Sequence, residues 1–179
     1  GVSGNGQREL MEALVGRRGR AGGRVSVSGE PFAATRRQFR RLKVRALPEE
    51  PLRNACVGEL SVAQNMALRS FDEPPWASPP WRGGWVRWAA LRERARAWIA
   101  EYGVKTRGEG AAMRTLSGGN VQRAVLAREL AGEAELLLVS NPVFGLDFAA
   151  VAEIHGRLRA ARDRGAAVLL VSEDLDELL

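Results

Sequence analysis

The sequence contains few of the residues that build metal clusters and covalent cross-links. Cys56 is the only cysteine and His155 the only histidine in 179 residues. A single thiol cannot form an intrachain disulfide, and one histidine cannot build a multi-histidine metal site. We therefore expect His155 to be a surface or packing residue. No run of about 18 apolar residues is present, so no membrane span is predicted.

The composition is that of an ordinary globular domain with a basic bias. Hydrophobic residues make up 45% and charged residues 27%, and the net charge is +6. The positive excess has three interpretations: base composition with solvated helix faces, a nucleic-acid patch, or a surface for a membrane-side or acidic partner. The candidate patch comprises Arg36, Arg37, Arg40, Arg41, Lys43 and Arg45.

A glycine turn that opens into a helix is the first candidate binding site. The stretch Leu116-Ser117-Gly118-Gly119 precedes an apolar periodic segment, which predicts a helix over 121–131. Glycines let the backbone approach a ligand closely. The free N–H groups and the positive end of the helix dipole favour an anion such as phosphate. The same pattern also occurs as a plain helix cap.

The first residues form a second glycine-rich loop ahead of a predicted helix over 9–15. The glycine spacing matches the phosphate loop G-x-x-x-x-G. However, Gln7 stands where the lysine of that loop belongs, and Arg8 stands where the Mg²⁺-binding Ser or Thr belongs. Backbone N–H groups can still form a phosphate nest. The candidate nucleotide-binding residues are Gly1, Gly4, Asn5, Gly6, Gln7 and Arg8.

Two continuous apolar runs predict buried parallel strands. The run over 136–139 ends at Ser140 and Asn141, and the run over 166–171 ends at Ser172 and Glu173. A helix predicted over 148–162 separates them, which favours a parallel sheet with right-handed crossovers. Ligands of such sheets bind at the carboxyl ends of the strands.

Shorter elements are predicted elsewhere. We expect strands over 22–29 and 44–47, and helices over 35–42, 61–68 and 86–102, with Ser61 as an N-cap. The segment 73–84 is rich in proline, glycine and tryptophan and is predicted to be an irregular loop. Glu49 and Glu50 are expected on a solvated loop.

The order of these features resembles the nucleotide-binding domain of ATP-binding cassette (ABC) transporters. Residues 116–122 are similar to the signature motif of that family, 136–141 to its Walker B strand and 145–147 to its D-loop. The resemblance covers nearly the whole chain. It implies an α/β P-loop NTPase cassette, with a mostly parallel sheet, helices on both faces and a helical insert.

The resemblance also implies domain bounds. The RecA-like core is expected over 1–48 and 132–179, and the helical insert with the signature helix over about 49–131. The chain opens inside a motif and stops in a helical pattern, so we expect a cassette truncated at both ends. Its loop, Asn120 and the run 141–148 resemble the second cassette of tandem-cassette sugar or nucleoside importers, and 141–148 is most similar to the nucleoside type.

The resemblance indicates which catalytic chemistry is missing. In this family, phosphoryl transfer from ATP uses a lysine, a Mg²⁺-binding hydroxyl, a Walker B aspartate, a glutamate that polarises water and a switch histidine. The corresponding residues here are Gln7, Arg8, Ser140, Asn141 and Glu173. The Q-loop glutamine is also replaced, with Glu49 or Glu50 near its position. No catalytic residue is intact, so the chain alone is predicted to lack hydrolytic activity.

By contrast, the signature motif and the D-loop residue are intact. They comprise Leu116, Ser117, Gly118, Gly119, Asn120, Gln122 and Asp147. In ABC transporters two cassettes stack head to tail, and each signature closes on the ATP held by the other. The resemblance therefore implies that this chain completes the ATP site of a partner cassette and that Mg²⁺ binds only there. Its own loop is expected to hold nucleotide at most through backbone N–H groups and Arg8.

The implied partners are another cassette, transmembrane permease subunits and, indirectly, an extracytoplasmic solute-binding protein. The implied location is the cytoplasmic face of the plasma or inner membrane. Trp76, Trp81, Arg82 and Trp85 become candidates for the surface that meets the permease, or for internal packing. The alternative is a non-transport module of the same fold that associates with nucleic acid, whereas the importer interpretation expects no nucleic-acid partner.

Overall fold

The structure, a computed structural model, describes residues 4–79, 81, 83–143, 146 and 148–174. The chain divides into two compact units, one formed by residues 1–49 with 132–179 and the other by residues 50–131. In chain order the elements are α1 (Gln7–Leu14), β1 (Ser26–Val27), β2 (Glu30–Pro31), α2 (Arg36–Arg41), β3 (Val44–Leu47), α3 (Pro51–Asn54), α4 (Val62–Ala67), α5 (Trp88–Glu101), α6 (Gly118–Leu130), β4 (Leu136–Ser140), α7 (Phe148–Asp163) and β5 (Ala167–Val171).

The first unit is built on a three-stranded parallel sheet in the order β3-β4-β5. Val44 pairs with Leu136, and Leu136 pairs with Ala167. Helices α1, α2 and α7 contact β4, β3 and β5 respectively. The carboxyl ends of β4 and β5 therefore lie side by side, where the polar pairs that follow these strands can meet.

The two apolar strands differ in burial. β4 is buried from Leu137 to Ser140, as its continuous apolar sequence predicts. β5 is not the buried strand expected from 166–171, because its residues are exposed or half-buried and Leu169 is 37% exposed. Among the described residues β5 has one neighbouring strand, whereas β4 has two. An apolar run alone does not reveal how many neighbours cover it.

The single strand expected over 22–29 is instead a small hairpin. β1 and β2 are antiparallel, with Val27 opposite Glu30. Ser28 and Gly29 join them with φ angles of 52° and 78°. Two consecutive residues with positive φ form the hairpin turn whose twist matches that of the flanking strands. Val27 packs into the core of this unit, together with Met11, Phe32, Phe39, Leu42, Val44, Ala46 and Leu138.

The second unit is a helical layer in which α4, α5 and α6 contact one another. Ser61 caps α4 as predicted, because its hydroxyl accepts from the Gln64 N–H at 3.2 Å. Helix α5 begins at Trp88, two residues later than expected. Leu91 and Ala95 are each 1% exposed, but Trp88 is 41% exposed and lies outside the buried stripe. Among the described residues no helix is long and apolar enough to cross a membrane.

A buried ionic network lies at the end of α6. The Glu129 carboxylate accepts from Arg128 Nε at 2.8 Å and from Arg69 Nε at 3.0 Å. Arg128 also donates to the carbonyls of Ala55 at 2.8 Å and Asn65 at 3.2 Å. Burial alone would raise the pKa of Glu129, but the charges of Arg128 and Arg69 lower it below its usual value. The network connects α6 to residues before, within and just after α4.

Candidate functional site

The glycine-rich loop adopts a conformation that requires glycine. Gly4 and Gly6 have φ angles of 86° and 91°, a region that other residues enter only with strain. A Cβ atom at either position would meet no atom within 4 Å, so the requirement comes from the backbone and not from crowding. Gly6 is the N-cap of α1. The loop therefore turns into the start of a helix, the geometry of a backbone anion nest.

The side chains of this loop do not supply positive charge to the nest. Gln7 Oε1 accepts a hydrogen bond from the Asn5 N–H at 3.1 Å, so the glutamine offers the loop an oxygen where a lysine would offer a cation. Arg8 Nε pairs with Glu12 on the next turn of α1 at 3.1 Å. The hydrogen bond and charge of Glu12 raise the pKa of Arg8. Arg8 therefore has a carboxylate partner on its own helix.

Residues of the glycine-rich loop and the start of α1 line one side of a cavity of about 280 Å³, here named the loop cavity. The carboxyl ends of β4 and β5 form its other side. Its lining contains one cationic residue, Arg8, and three carboxylates, so its formal charge is negative. The lining residues are Gly4, Gly6, Gln7, Arg8, Glu9, Glu49, Ser140, Asn141, Val171, Ser172 and Glu173. Glu49, expected on a solvated loop, is half-buried at this cavity.

Asn141 connects the ends of the two neighbouring strands. Its N–H donates to the Val171 carbonyl at 2.8 Å, and its Oδ1 accepts from the Glu173 N–H at 2.9 Å. Its φ angle is 44°, a left-handed conformation that asparagine tolerates better than most residues. The amide oxygen is thus engaged within the protein. An amide also cannot take the proton of an attacking water as a carboxylate does.

The loop cavity does not fit a magnesium ion. Mg²⁺ prefers an octahedral set of hard oxygens, usually one or two carboxylates with water and phosphate. Gln7 and Arg8 provide neither a loop hydroxyl nor a carboxylate, and Ser140 is buried. The three carboxylates of the lining are not grouped as metal ligands. Across the part of the chain that the structure describes, no three His, Cys, Asp or Glu side chains are grouped to hold a metal. We assign no chemical step to a metal at this cavity.

The signature segment has the opposite character. Helix α6 begins at Gly118, three residues earlier than predicted, so both glycines belong to its first turn. The N–H groups of Asn120 and Val121 bond to the Ser117 carbonyl, whereas those of Gly118 and Gly119 form no hydrogen bond with any described residue. Ser117 and Gly118 are exposed. Two backbone donors and the positive end of a 13-residue helix therefore face outward.

The hydroxyl of Ser117 is oriented by Asn120. Asn120 Nδ2 donates to Ser117 Oγ at 2.8 Å, while Asn120 Oδ1 accepts from the Lys105 N–H at 2.7 Å. A hydroxyl has one proton and two lone pairs. Because Asn120 occupies a lone pair, the proton of Ser117 is left to donate to a ligand. Gln122, the last residue of the predicted motif, is 5% exposed and therefore buried within the second unit.

The remaining predicted positions are less informative. Gly1, Arg82 and the D-loop residue Asp147 lie outside the described residues. Trp81 and Trp85 are 83% and 76% exposed.

Trp76 instead stacks on Arg94, whose guanidinium lies 4.1 Å from that ring and 4.5 Å from the ring of Trp98. Burial lowers the pKa of Arg94 to about 10. The Arg94 and Trp98 pair is spaced by one helical turn, the one sequence signal for this stack.

A family model described as ABC transporter matches residues 1–143. The chain belongs to the ABC transporter family. It is 37% identical over 180 residues to the nucleoside import ATP-binding protein NupA of Lactococcus lactis, covering 100% of this chain and 35% of NupA. It is 36% identical over 182 residues to the glucose import ATP-binding protein TsgD13 of Haloferax volcanii, covering 100% of this chain and 32% of that protein. The chain thus spans about a third of these relatives.

The fold of the ABC transporter cassette is also seen in solved structures. The chain is similar to a dimeric post-hydrolysis state of the ATP-binding cassette MJ0796 bound to ADP and Pi, with a TM-score of 0.72 and 18% identity. The match covers 96% of this chain and 72% of that chain. The predicted family and the α/β cassette fold are confirmed. The roles of individual residues remain predictions.

Proposed function

We propose that this chain is the second cassette of a sugar or nucleoside importer and that its signature motif completes an ATP site on another cassette. The observation that supports this proposal is the start of α6, where the Ser117 hydroxyl proton and the N–H groups of Gly118 and Gly119 are donors from three consecutive residues that no described residue accepts from. These three donors match the oxygens of a terminal phosphate. Negative charge on that phosphate is further favoured by the dipole of α6.

The chain's own loop cavity has no catalytic role in this proposal. Its one cation is paired with Glu12, and its lining adds three carboxylates that repel a polyphosphate. Asn141 is held by Glu173 and lacks the basicity to activate water. ATP with Mg²⁺ would then bind at the partner cassette, and turnover there would depend on Ser117. The isolated chain would show no Mg²⁺-dependent ATPase activity.

The further parts of the proposal concern partners. The similarity to importers of nucleosides and sugars favours action with transmembrane permease subunits at the cytoplasmic face of the membrane, with an extracytoplasmic solute-binding protein supplying solute. Trp81 and Trp85 are exposed aromatic residues, a type enriched where proteins dock. We assign them to the permease-facing surface.

The decisive experiment is Ser117→Arg in the full-length protein assembled with its permease. An arginine there removes a phosphate donor and fills the space before α6, so we expect ATP turnover to fall by about a hundredfold or more. Ser26→Arg is the matched control, because Ser26 is exposed on β1 and should leave turnover unchanged. Unchanged turnover in Ser117→Arg would refute the proposed role of the signature.

The nucleic-acid alternative rests only on charge. Part of that charge is already paired, since Arg41 bonds to Glu30 and Lys43 to Glu133. Filter binding over a salt series separates the two functions, because binding to nucleic acid weakens steeply as salt displaces the phosphate contacts. The importer function predicts no specific retention of DNA or RNA at physiological salt.

A further inference from the structure

A second cavity, of about 360 Å³, lies next to the signature motif and differs in charge from the loop cavity. We name it the signature cavity, and its lining residues are Lys105, Thr106, Arg107, Thr115 and Leu116. Two of the five are cations and none is a carboxylate. The cavity belongs to the second unit, as does the start of α6.

The two cations of the signature cavity are not neutralised. Lys105 and Arg107 are exposed and form no ion pair with any described residue. The nearest acid along the chain, Glu109, is bound by Arg96 at 2.6 Å. A backbone hydrogen bond and this arginine lower the pKa of Glu109, so its charge is present but already partnered. The cavity therefore carries two positive charges with no counterion supplied by its lining.

The two threonine hydroxyl groups of this cavity are not available to donate to a ligand. Thr115 Oγ1 donates to the Ala112 carbonyl at 2.7 Å, and Thr106 Oγ1 donates to the Gly108 carbonyl at 3.1 Å. Both protons are used within the protein. An anion in the cavity would therefore be held by Lys105 and Arg107, of which arginine can bind two phosphate oxygens at once.

One side chain connects this cationic segment to the signature serine. Asn120 accepts from the Lys105 N–H at 2.7 Å and donates to Ser117 Oγ at 2.8 Å. The backbone at Lys105 and the hydroxyl at Ser117 are 12 residues apart along the chain, yet one amide fixes both. Asn120 therefore sets the cationic segment and the hydroxyl in a common geometry.

We propose that Lys105 and Arg107 extend the anion site of the signature motif and bind phosphate oxygens of the nucleotide presented by the other cassette, with Asn120 as a positioning residue. This inference rests on the proposed function, because it needs that nucleotide to face the start of α6. It adds two binding residues outside the motif. Free phosphate offers the same oxygens, so nucleotide and inorganic phosphate must be separated by experiment.

The test uses the full-length protein with its permease and the double variant Lys105→Ala/Arg107→Ala. We expect the KM for ATP to rise about tenfold at low salt, the loss typical of a charge-assisted contact. The difference should shrink at high salt, because exposed charges are screened. Arg20→Ala/Arg24→Ala removes two exposed charges elsewhere and should leave KM unchanged. Lys105→Arg/Arg107→Lys keeps both charges but moves the bidentate group, so its KM should lie between those of the wild type and the alanine double variant.

Two further measurements assign the ligand and the role of Asn120. Inhibition by inorganic phosphate is measured on the same variants, and a loss of this inhibition with unchanged KM for ATP would overturn the nucleotide as the ligand. Asn120→Ala should raise KM and reduce the salt dependence of KM, while the thermal unfolding midpoint stays near that of the wild type. An Asn120→Ala protein with wild-type KM would overturn the positioning role.

The failures of the two proposals are distinguishable. If Ser117→Arg abolishes turnover but Lys105→Ala/Arg107→Ala keeps the wild-type KM, the cationic extension is wrong and the signature assignment stands. If Ser117→Arg leaves turnover unchanged, both proposals fail together.

Discussion

Glycine lies at the start of both α1, as its N-cap Gly6, and α6, as its first residue Gly118, yet the surroundings of the two helices differ in charge and burial. Only Met11 is buried in α1. Glu12 on this helix forms ion pairs with Arg8 and Arg18, whose side chains are largely exposed. Nine residues of α6 are buried, including both partners of the Arg128–Glu129 pair. The cavity before α1 is lined by three carboxylates, and the cavity beside the start of α6 by two cations.

A glycine turn before a helix allows anion binding but does not by itself make the site attractive to a polyphosphate. Both helices offer backbone N–H groups and the positive end of a dipole. The charged side chains around each helix start decide whether a polyphosphate is attracted or repelled. A full side-chain charge in the cavity lining outweighs the partial charge of a helix end. Of the two, only the signature region combines free donors with uncompensated positive charge.

We expect the greatest loss of stability when the buried ionic network at the end of α6 is broken. Glu129→Ala leaves Arg128 buried without its counterion, which should cost about 3–5 kcal/mol in the free energy of unfolding. Glu12→Ala is the matched control on α1, where the loss should be much smaller because its arginines reach solvent. Urea denaturation of the two variants measures both. Equal losses would remove the contrast between the helices.

Through Glu129, the same network makes the free energy of unfolding depend on pH. The pKa of Glu129 is lowered in the folded chain, so its stabilising contribution is present above the usual carboxyl pKa and is lost as the pH falls through the lower folded value. The stability difference between wild type and Glu129→Ala should therefore shrink on acidification from neutral pH.

The next effect concerns charge at the loop cavity. Glu9→Gln/Glu49→Gln removes two of the three carboxylates, and we expect affinity for ATP at this cavity to rise about tenfold. Equilibrium dialysis of the full-length protein without Mg²⁺ should show a second bound nucleotide at lower ATP concentration. Glu93→Gln/Glu101→Gln, on exposed positions of α5, is the control. A wild-type protein that already binds two nucleotides equally well would contradict the charge argument.

The smallest effect contrasts the two asparagines. Asn141 has a φ angle of 44°, so Asn141→Ala should be less stable than Asn141→Gly by about 1 kcal/mol. Asn120 lies inside helix α6, where glycine is the worse residue, so Asn120→Gly should be less stable than Asn120→Ala by about 0.5–1 kcal/mol. Urea denaturation of the four variants tests this crossed order. The same order at both sites would show that local backbone conformation does not set the difference.

The sequence predicts the elements whose signals are local. The strand over 44–47, the Ser61 cap and the buried strand β4 follow from apolar pattern and capping chemistry, and all are found. The family and the α/β cassette fold follow from the order of motifs and are confirmed. The candidate residues Ser140, Asn141 and Glu173 line one cavity because parallel strands place their carboxyl ends on one side. Gly4, Gly6, Gln7 and Arg8 line the same cavity, whereas Asn5 does not.

The features that the sequence does not predict depend on tertiary contacts. Adjacent Arg128 and Glu129 look like solvated charges of a helix surface, and only the packing of α6 makes them a buried pair. The bond from Lys105 to Asn120 spans 15 residues, which no local pattern encodes. The exposure of β5 depends on how many strands lie beside it, and its apolar sequence is the same in either case.

The buried network at the end of α6 also has a mechanical consequence. Gly118 and Arg128 lie ten residues apart on one helix, about 15 Å along its axis. The far end is fastened to the carbonyls of Ala55 and Asn65 and, through Glu129, to Arg69. Helix α6 therefore connects Ser117 at one end to a hydrogen-bonded, buried network at the other end. We therefore expect a displacement at Ser117, where phosphate binding is proposed, to be transmitted along α6 to the segment from Ala55 to Arg69.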